Sequence, residues 1–448
     1  GPAAVRHRVP QDPASVEAVL LAKVFTLSNI LTTLPWTPQQ CGLPATEPRE
    51  QINMVLASDL QAVVLACEDG RRLYPLTQEC PAPLLPVLNK PLLHYQLELL
   101  EKAGYTAEAL VVCSRDTEAG VSKYKESYAG ALALDLVVVN GSLDTAEVLR
   151  QVAGKIRSDF LLLPGDLVCE EVLRDLAELH VSRGSDVTMV VKEEAPVKDA
   201  KGRKTVRPKR DEEDIDYVGL TQSGRLVIKL PKLFVEEALR IQKALLRRHE
   251  TVTLSTTLQD VSVYVLAHWV LGFLDEHRAI ASVQNELVPA LVRRQFRNCT
   301  TGGEPLAKRA TSMIMDAMHG EAMVARMSSG KPSPDGDGTD PGEGGANEVR
   351  CFALTLRHGE AYCSQAKTLA AYCTINRELL TTREFSDKCP WTMPDGFRPK
   401  DSTLVPAGCH IGAKGTLKFS VIGRQCKIGE KAKINNCIVM DGVTIGDK

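Results

Sequence analysis

The chain has 448 residues, more than one ordinary hydrophobic core accommodates, so two or three domains are expected. Apolar residues make up 44% of the sequence and charged residues 25%, which is the balance of a globular protein and excludes a disordered or membrane-embedded chain. The 54 basic and 56 acidic residues give a net charge of -2, too small to attract nucleic acid or an anionic membrane, so we expect no direct DNA partner and no membrane association.

The thirteen cysteines show no pattern typical of a disulfide framework or a metal site. They form no CxxC pair and no Cys/His cluster, and their number is odd. We interpret them as reduced thiols and expect a cytosolic protein. Residues 1–58 precede the strand-like runs and include the first methionine, Met54, so we predict an uncertain or disordered N-terminal segment and assign it no function.

Between residues 59 and 326, short β-rich apolar runs alternate with helical patterns. The apolar runs lie at 61–66, 109–113, 134–139, 160–163 and 187–191. Helical spacing of apolar residues recurs at 92–103, 234–248 and 283–296. This alternation is typical of βαβ units and a mostly parallel sheet. It predicts an α/β, Rossmann-like domain with helices on both faces of the sheet.

Three later or inserted segments differ from this pattern. The charged stretch at 198–216 places basic residues directly before acidic ones, which predicts a mobile, solvated insertion; the alternative is a nucleic-acid patch, whose field the acids would cancel. Residues 327–348 are rich in Gly, Pro and Asp, and we predict a flexible loop there. Residues 349–400 then supply a closing strand and helix and a proline-rich connector.

Residues 401–448 carry a regular repeat. Aliphatic residues recur 17 positions apart, pairing Val405, Ile411, Leu417, Ile422 and Ile428 with Ile422, Ile428, Ile434, Val439 and Ile445. One inward aliphatic residue in about every six predicts the stacked coils of a parallel β-helix built from hexapeptide repeats. A set of unrelated hairpins is the alternative. The repeat stops at Lys448 within a coil, so we expect a truncated helix.

The segment at 65–91 follows the first predicted strand, where an α/β sheet binds its ligand. The order of Gly70, Arg72-Leu73, Pro75-Leu76-Thr77 and Pro81-Ala82-Pro83 resembles the signature of sugar-phosphate nucleotidyltransferases. This resemblance implies that residues 59–326 form a nucleotidyltransferase-like domain.

The signature is changed at positions that matter for phosphate binding. In the enzymes that it resembles, glycines let the backbone approach a triphosphate, and a lysine between two prolines stabilises the transferring phosphoryl group. Cys67 and Glu68 stand at two of the glycine positions, and Ala82 stands at that of the lysine. Arg71 adds one positive charge and is a partial substitute. The resemblance therefore implies a degenerate nucleotide-binding site comprising Cys67, Glu68, Gly70, Arg72 and Ala82.

Two aspartates fall near the positions where the resemblance implies magnesium ligands. Asp166 follows the run at 160–163, and Asp260 precedes an apolar run at 261–266. An isolated aspartate after a strand is as often a turn or cap residue. The sugar-binding Glu-Lys-Pro of these enzymes is expected near 229–232, where the sequence reads KLPK without the glutamate. We therefore predict no catalytic residue, no cofactor and no bound metal, with Asp166 and Asp260 as the metal candidates.

A nucleotidyltransferase-like domain followed by a left-handed β-helix occurs in sugar-nucleotide pyrophosphorylases and in the gamma and epsilon subunits of initiation factor 2B. The segments at 216–226, 285–296, 349–352 and 372–377 resemble the gamma subunits. This resemblance implies a non-catalytic scaffold or regulatory subunit of the guanine-nucleotide exchange factor for translation initiation factor 2, itself a GTPase. The implied partners are an epsilon-type subunit, the other subunits of the factor and that GTPase.

Three alternatives remain open on the sequence alone. The changed loop resembles epsilon-type subunits more than gamma-type ones. Arg72, Asp166 and Asp260 are compatible with a sugar-phosphate nucleotidyltransferase of the GDP-mannose pyrophosphorylase kind, either active or regulatory. The same fold is also compatible with a nucleotide sensor that binds without turnover.

Overall fold

The structure is a computed structural model, which describes residues 60–67, 70–105, 108–141, 144–194, 215–235, 239, 241, 243–296, 349–381, 403–413 and 415–447. The predicted N-terminal segment at 1–58 and the predicted loop at 327–348 lie outside these residues, as does most of the charged insertion. All described residues belong to one compact unit, which spans Ile52–Lys448.

Residues up to 365 form fourteen strands in the described part of the chain. These are β1 (Gln61–Ala66), β2 (Pro86–Val87), β3 (Lys90–Pro91), β4 (Glu108–Ser114), β5 (Ala133–Val139), β6 (Phe160–Pro164), β7 (Leu167–Cys169), β8 (Val187–Glu193), β9 (Asp216–Leu220), β10 (Leu226–Pro231), β11 (Thr253–Ser255), β12 (Leu258–Leu266), β13 (Cys351–Leu356) and β14 (Cys363–Gln365).

Seven of these strands form one mixed sheet in the order β13-β8-β12-β6-β1-β4-β5. Every neighbouring pair is parallel except those made by β12, which runs antiparallel to both β6 and β8. The five strands predicted from the apolar runs are all present in this sheet, which confirms the predicted α/β class. Central strands such as β6 are buried along their whole length, as expected for a sheet covered on both faces.

Eight α-helices lie in the described residues. They are α1 (Leu92–Lys102), α2 (Glu118–Ser127), α3 (Thr145–Val152), α4 (Leu173–Arg183), α5 (Lys243–Arg248), α6 (Trp269–Glu276), α7 (Val288–Arg294), which a π-helical turn (Val283–Leu287) precedes, and α8 (Leu369–Thr381). One apolar core joins the sheet to α3, α6 and α7, and a second joins it to α1 and α4. Helices therefore cover both faces of the sheet, as predicted.

Amphipathic spacing explains why these helices form where they do. In α1, Leu93, Leu97 and Leu100 recur at helical spacing and are fully buried against the sheet. Gly104 follows the end of α1 with φ of 91°, a left-handed conformation that glycine adopts without steric cost. None of the described helices combines the length and the apolar content needed to cross a bilayer.

Two predictions for the region around residues 198–248 need correction. The predicted helix at 234–248 does not begin at Phe234, because Lys232–Phe234 form a 3-10 turn and Val235 is extended; α5 begins only at Lys243. Asp216, predicted to lie in the solvated insertion, is buried in β9. Asp216 pairs with Pro231 of β10 in a small antiparallel sheet, and its carboxylate lies 4.0 Å from the buried Lys229 ammonium.

The described residues from 403 onwards form seven short strands in three small parallel sheets. These are β15 (His410–Ile411), β16 (Thr416–Lys418), β17 (Val421–Ile422), β18 (Lys427–Ile428), β19 (Lys433–Asn435), β20 (Ile438–Val439) and β21 (Thr444–Ile445). Partners lie 17 positions apart, as do Ser420 and Cys437, whose side-chain and backbone groups hydrogen-bond. The predicted 17-residue period is confirmed, and its aliphatic residues form a core of their own.

A tight hairpin makes hydrogen bonds both to α8 and to these C-terminal strands. Between β2 and β3, Leu88 and Asn89 both have positive φ, 46° and 61°. Leu88 N donates to Asn376 Oδ1 in α8 at 3.1 Å, and Asn89 Nδ2 donates to Ile422 O in β17 at 2.7 Å. The turn is therefore held by α8 on one side and by the C-terminal strands on the other.

Candidate functional site

The loop after β1 carries the nucleotidyltransferase-like signature and is built from three 3-10 turns, Arg71–Leu73, Leu76–Gln78 and Ala82–Leu84. Gly70 begins it with φ of 59°. A Cβ at this position would lie 2.7 Å from Thr77 Cγ2 and 3.0 Å from Ala82 Cβ. Thr77 Oγ1 also donates to Gly70 O at 3.0 Å. Only glycine fits this conformation and this space, and the packing brings Gly70 beside Ala82.

A cleft of about 560 Å³ opens beside this loop, within the size range of small-molecule sites. The loop, the segment after β4 and the segment after β5 line it, through Cys67, Thr77, Gln78, Glu79, Pro81, Ala82, Ser114, Asp116, Thr117, Gly120 and Gly141. Of the predicted site residues, the structure thus brings Cys67 and Ala82 into one cleft. Arg72 lies exposed on the first 3-10 turn, and Glu68 lies outside the described residues.

The charge of this cleft is unusual for a phosphate site. Its described lining includes two carboxylates, Glu79 and Asp116, and no lysine or arginine. The position between the two prolines, where the resembling enzymes have a cation, holds the buried methyl group of Ala82. A triphosphate placed in this cleft would therefore face negative charge without a compensating cation from the described lining.

Asp166 lies in the turn between β6 and β7, next to the end of β1. Gly165 approaches β1 so closely that a Cβ there would lie 2.5 Å from Leu65 O. Asp166 is buried, and neither carboxylate oxygen has a hydrogen bond of normal geometry to the described residues. Burial raises the pKa of the Asp166 carboxyl above its ordinary value. The Lys367 ammonium and the backbone amide of Asp166 itself act on this pKa in the opposite direction.

Asp260 lies inside β12, which corrects the prediction that it precedes a strand. The strand begins at Leu258 and passes through a register shift between Asp260 and Tyr264, where Ser262 has φ of 58°. The Asp260 carboxylate is fully buried and accepts hydrogen bonds from Tyr264 Oη at 2.7 Å and from Ser262 N at 2.8 Å. It also forms an ion pair with the Lys229 ammonium. Its oxygens are therefore already engaged by the chain.

Lys229 is the centre of a buried charge cluster. Its side chain has no exposed surface, and its Nζ contacts Asp260 Oδ2, lies 4.0 Å from Asp216 Oδ2 and donates to Gln284 O at 3.0 Å. Two carboxylates therefore share one ammonium. Burial, followed by the Asp260 charge, raises the pKa of the neighbouring Tyr264 well above its ordinary value, so that its hydroxyl remains a donor.

Gln284 connects this charge cluster to the surroundings of Asp166. Gln284 Oε1 accepts from Lys367 Nζ at 3.2 Å and from Ser262 Oγ at 3.2 Å. Lys367 also acts electrostatically on Asp166. Each of the two metal candidates therefore has a lysine of the same chain as its neighbour. Within the described ranges, no three His, Cys, Asp or Glu side chains are grouped as they would be around a metal ion.

Sequence reasoning did not assign these lysines a role. The signal for Lys229 is a single lysine inside the apolar run of β10, which indicates a buried charge that requires a partner. No local signal marks Lys367 or Gln284, because they reach the site from segments distant in the chain. Their contribution follows only from the way in which β14 and the π-helical turn meet the sheet.

One protein family matches the part of the chain that contains this loop. A family model described as nucleotidyl transferase matches residues 61–202, which include β1, the signature loop, the segments that line the cleft and Asp166. The match therefore covers the first part of the main sheet.

Similarity to whole proteins extends further along the chain. The gamma subunit of translation initiation factor eIF2B from Dictyostelium discoideum is 29% identical over 83% of this chain and 89% of its own length. The gamma subunit from Schizosaccharomyces pombe is 27% identical over 84% of this chain and 76% of its own length. A mannose-1-phosphate guanyltransferase from Hypocrea jecorina is 31% identical, but over 31% of this chain and 39% of its own length.

Proposed function

We propose that this chain, which is similar to the gamma subunits of translation initiation factor eIF2B along most of its length, is a non-catalytic, regulatory subunit of the guanine-nucleotide exchange factor for eIF2. The observation that carries the proposal is the extent of the similarity, which spans most of this chain and most of the gamma subunits. Similarity to the guanyltransferase is confined to less than a third of the chain.

The geometry of the site supports a role without nucleotidyl transfer. The described lining of the cleft offers carboxylates in place of cations, Cys67 adds a side chain beside the turn, and Ala82 replaces an ammonium with a methyl group. Asp260 is saturated by Lys229, Tyr264 and the backbone, so it is a poor magnesium ligand. In this proposal the nucleotide-binding site is degenerate. The ammonium groups of Lys229 and Lys367 neutralise the aspartates in place of a metal ion.

The C-terminal segment completes the proposed architecture. In this proposal residues 401–448 belong to a left-handed parallel β-helix, which the 17-residue offset shared by all three small sheets supports. The preceding domain comprises residues 59–326, followed by the loop at 327–348 and by the closing strand, helix and connector at 349–400. The proposed partners are an epsilon-type subunit, the other subunits of the factor and eIF2, and the proposed location is the cytosol.

Affinity capture tests the proposal directly. We expect the tagged full chain, expressed in eukaryotic cells, to co-purify in fixed stoichiometry with an epsilon-type subunit and with other subunits of the exchange factor. The purified complex should release GDP from eIF2 faster than the same complex reconstituted without this chain. Recovery of the chain alone, in a preparation in which the other subunits assemble without it, would contradict the proposal.

A second candidate is a sugar-phosphate nucleotidyltransferase, which the partial similarity to the guanyltransferase and the buried, unbonded carboxylate of Asp166 favour. Purified chain with magnesium, GTP or ATP and sugar 1-phosphates would then release pyrophosphate. Under the proposed function we expect no release, and we expect no heat of binding when the nucleotides are titrated calorimetrically. Binding without release would instead indicate a nucleotide sensor.

A further inference from the structure

Two cysteines face each other across the short antiparallel ladder between β7 and β14. Cys169 ends β7, Cys363 begins β14, and the two are direct partners in the ladder. Both are free thiols and both are buried. From this geometry we propose that Cys169 and Cys363 are an oxidisable dithiol that closes to a cross-strand disulfide in the presence of a peroxide.

The hydrogen bonds around this ladder determine whether the two cysteines form a hydrogen-bonded or a non-hydrogen-bonded pair. Glu170 N donates to Tyr362 O at 2.8 Å, and Ala366 N donates to Asp166 O at 2.9 Å. Hydrogen-bonded and non-hydrogen-bonded pairs alternate along an antiparallel ladder. Cys169 and Cys363 lie one step from the first of these bonds and so occupy a non-hydrogen-bonded pair. There the Cα atoms approach to about 4.5 Å, within the range of about 4.4–6.8 Å that a disulfide spans.

The environment of the thiols sets the rate of their oxidation. A hydrogen bond to Cys363 raises the pKa of the Cys169 thiol, and burial raises it further. The thiolate is the reactive form, so the Cys169 thiol reacts slowly at neutral pH while the ladder is closed. Each strand contributes only three residues to the ladder, which makes local opening the route by which an oxidant reaches the sulfurs. The disulfide therefore forms slowly and, once buried again, is reduced slowly.

The reaction is balanced with hydrogen peroxide as the oxidant. One thiolate attacks a peroxide oxygen, which breaks the O–O bond, gives a sulfenic acid and releases hydroxide that takes up a proton to become water. The second thiol loses its proton and attacks the sulfenic sulfur, forming the S–S bond and displacing a second hydroxide, which is protonated to water. Two thiols and one peroxide thus give one disulfide and two waters, and the two electrons that the sulfurs lose reduce the peroxide.

The disulfide would join two parts of the chain that are distant in sequence. β7 follows the Asp166 turn directly, and β14 leads through Lys367 into α8. α8 packs with the signature loop and with the C-terminal strands in one apolar core. Oxidation would therefore fix the closing segment to the main domain and hold Lys367 near Asp166.

Peptide mapping of the full chain tests the proposal. The reduced protein is treated with hydrogen peroxide, its free thiols are capped with N-ethylmaleimide, and it is digested with trypsin without reduction. Cleavage places each cysteine alone in its peptide, at 158–174 and at 358–367. We expect these two peptides to appear linked, two hydrogen atoms lighter than their sum, and to separate on reduction. Sub-denaturing urea should accelerate the linkage, because it favours opening of the ladder.

Two matched variants and a second readout distinguish a specific pair from general oxidation. Cys363→Ser should abolish the linked peptide, and Cys373→Ser, which changes a half-buried cysteine in α8, should leave it unchanged. Oxidation should raise the unfolding temperature of the parent and of Cys373→Ser by a few degrees, and not that of Cys363→Ser. Recovery of both cysteines as capped thiols after oxidation, or linkage of either to a different cysteine, would overturn the proposal.

Discussion

A single buried lysine determines the character of the candidate site. Lys229 has no exposed side-chain surface and holds together Asp216 and Asp260, two carboxylates that would otherwise repel each other in a medium of low polarity. Removing two charges from water is unfavourable, and the ion pair offsets this only when its geometry and hydrogen bonds are complete. At this site they are, because Tyr264, Ser262 and Gln284 supply the remaining hydrogen bonds.

Replacing this lysine should destabilise the fold strongly. We expect Lys229→Met to lower the free energy of unfolding by about 3–5 kcal/mol, because two buried carboxylates lose their counter-ion. The matched control is Lys155→Met, which removes the half-exposed lysine that pairs with Asp135 at 2.8 Å and should cost less than about 1 kcal/mol. Urea unfolding of both variants measures the difference. Similar values for the two would contradict the assigned role of Lys229.

Asp166 should make the stability of the protein depend on pH. Burial raises its pKa in the folded state above the unfolded value of about 3.9, so the folded protein retains a proton that the unfolded chain has lost. Stability therefore falls as the pH rises above the unfolded pKa. We expect Asp166→Asn, which cannot ionise, to be more stable than the parent near neutral pH, with a gain that disappears as the pH falls towards about 4.

The control for this pH dependence is Asp116→Asn, which changes an exposed carboxylate of the same cleft. Its stability should differ little from that of the parent, because substitution of an exposed side chain usually changes the free energy of unfolding little. Urea unfolding between acid and neutral pH provides the measurement. A gain for Asp166→Asn that does not vary with pH would show that packing, not ionisation, is responsible.

At the scale of elements, close backbone contact organises the C-terminal strands. A Cβ on Gly423 would lie 2.5 Å from Met440 C and 2.6 Å from Asp441 N. A Cβ on Gly415, in the same region, would come no closer than 3.4 Å to its nearest neighbour, Gly412 O, which is an ordinary van der Waals contact. The two glycines therefore differ in how closely another stretch of backbone lies against them.

This difference predicts opposite results for the same substitution. Gly423→Ala should force neighbouring strands apart and destabilise the C-terminal region by about 1–3 kcal/mol, as overpacking does. Gly415→Ala should be tolerated, since the nearest atoms leave room for a methyl group. Thermal unfolding combined with limited proteolysis of the C-terminal region measures both variants. Equal tolerance of the two would argue against stacking of these strands at the observed separation.

Periodic elements were predictable from the sequence, and irregular ones were not. The five parallel strands and the 17-residue repeat follow from apolar spacing, because each aliphatic residue fills a repeated position in a core. The prediction of a helix that starts at Phe234 was wrong, because the chain leaves β10 through a 3-10 turn and continues into extended Val235. Asp216 was misplaced because a charged residue beside a charged segment gives no local indication that a distant lysine will bury it.

For the whole molecule, the candidate site divides into a local part and an assembled part. Cys67, Gly70 and Ala82 could be placed together from the sequence, since one short loop contains all three. The surroundings of Asp166 and Asp260 could not, because Lys229, Gln284 and Lys367 arrive from three separate segments. Contacts between segments distant in the chain decide which charges meet, and apolar periodicity carries no information about them.

One apolar core connects the signature loop to the rest of the molecule. It contains Leu73 and Ala82 from the loop, Tyr372 from α8 and Leu404 and Val421 from the C-terminal region. The Tyr372 hydroxyl also donates a hydrogen bond to Pro86 O beside the loop. A substitution in the C-terminal region should therefore alter the stability of the loop if the substituted residue belongs to this shared core. A substitution in the separate core of the repeat should not.

The two buried valines of the C-terminal region allow a matched test of this coupling. Val421→Ala deletes methyl groups from the shared core, and Val405→Ala deletes the same groups from the core of the repeat. Each should cost about 1–3 kcal/mol locally. We expect Val421→Ala to accelerate hydrogen exchange in peptides that cover residues 70–85, and Val405→Ala to leave exchange there unchanged. Faster exchange in both variants would mean that the loop follows the general stability of the C-terminal region, and unchanged exchange in both would mean that the shared core does not couple them.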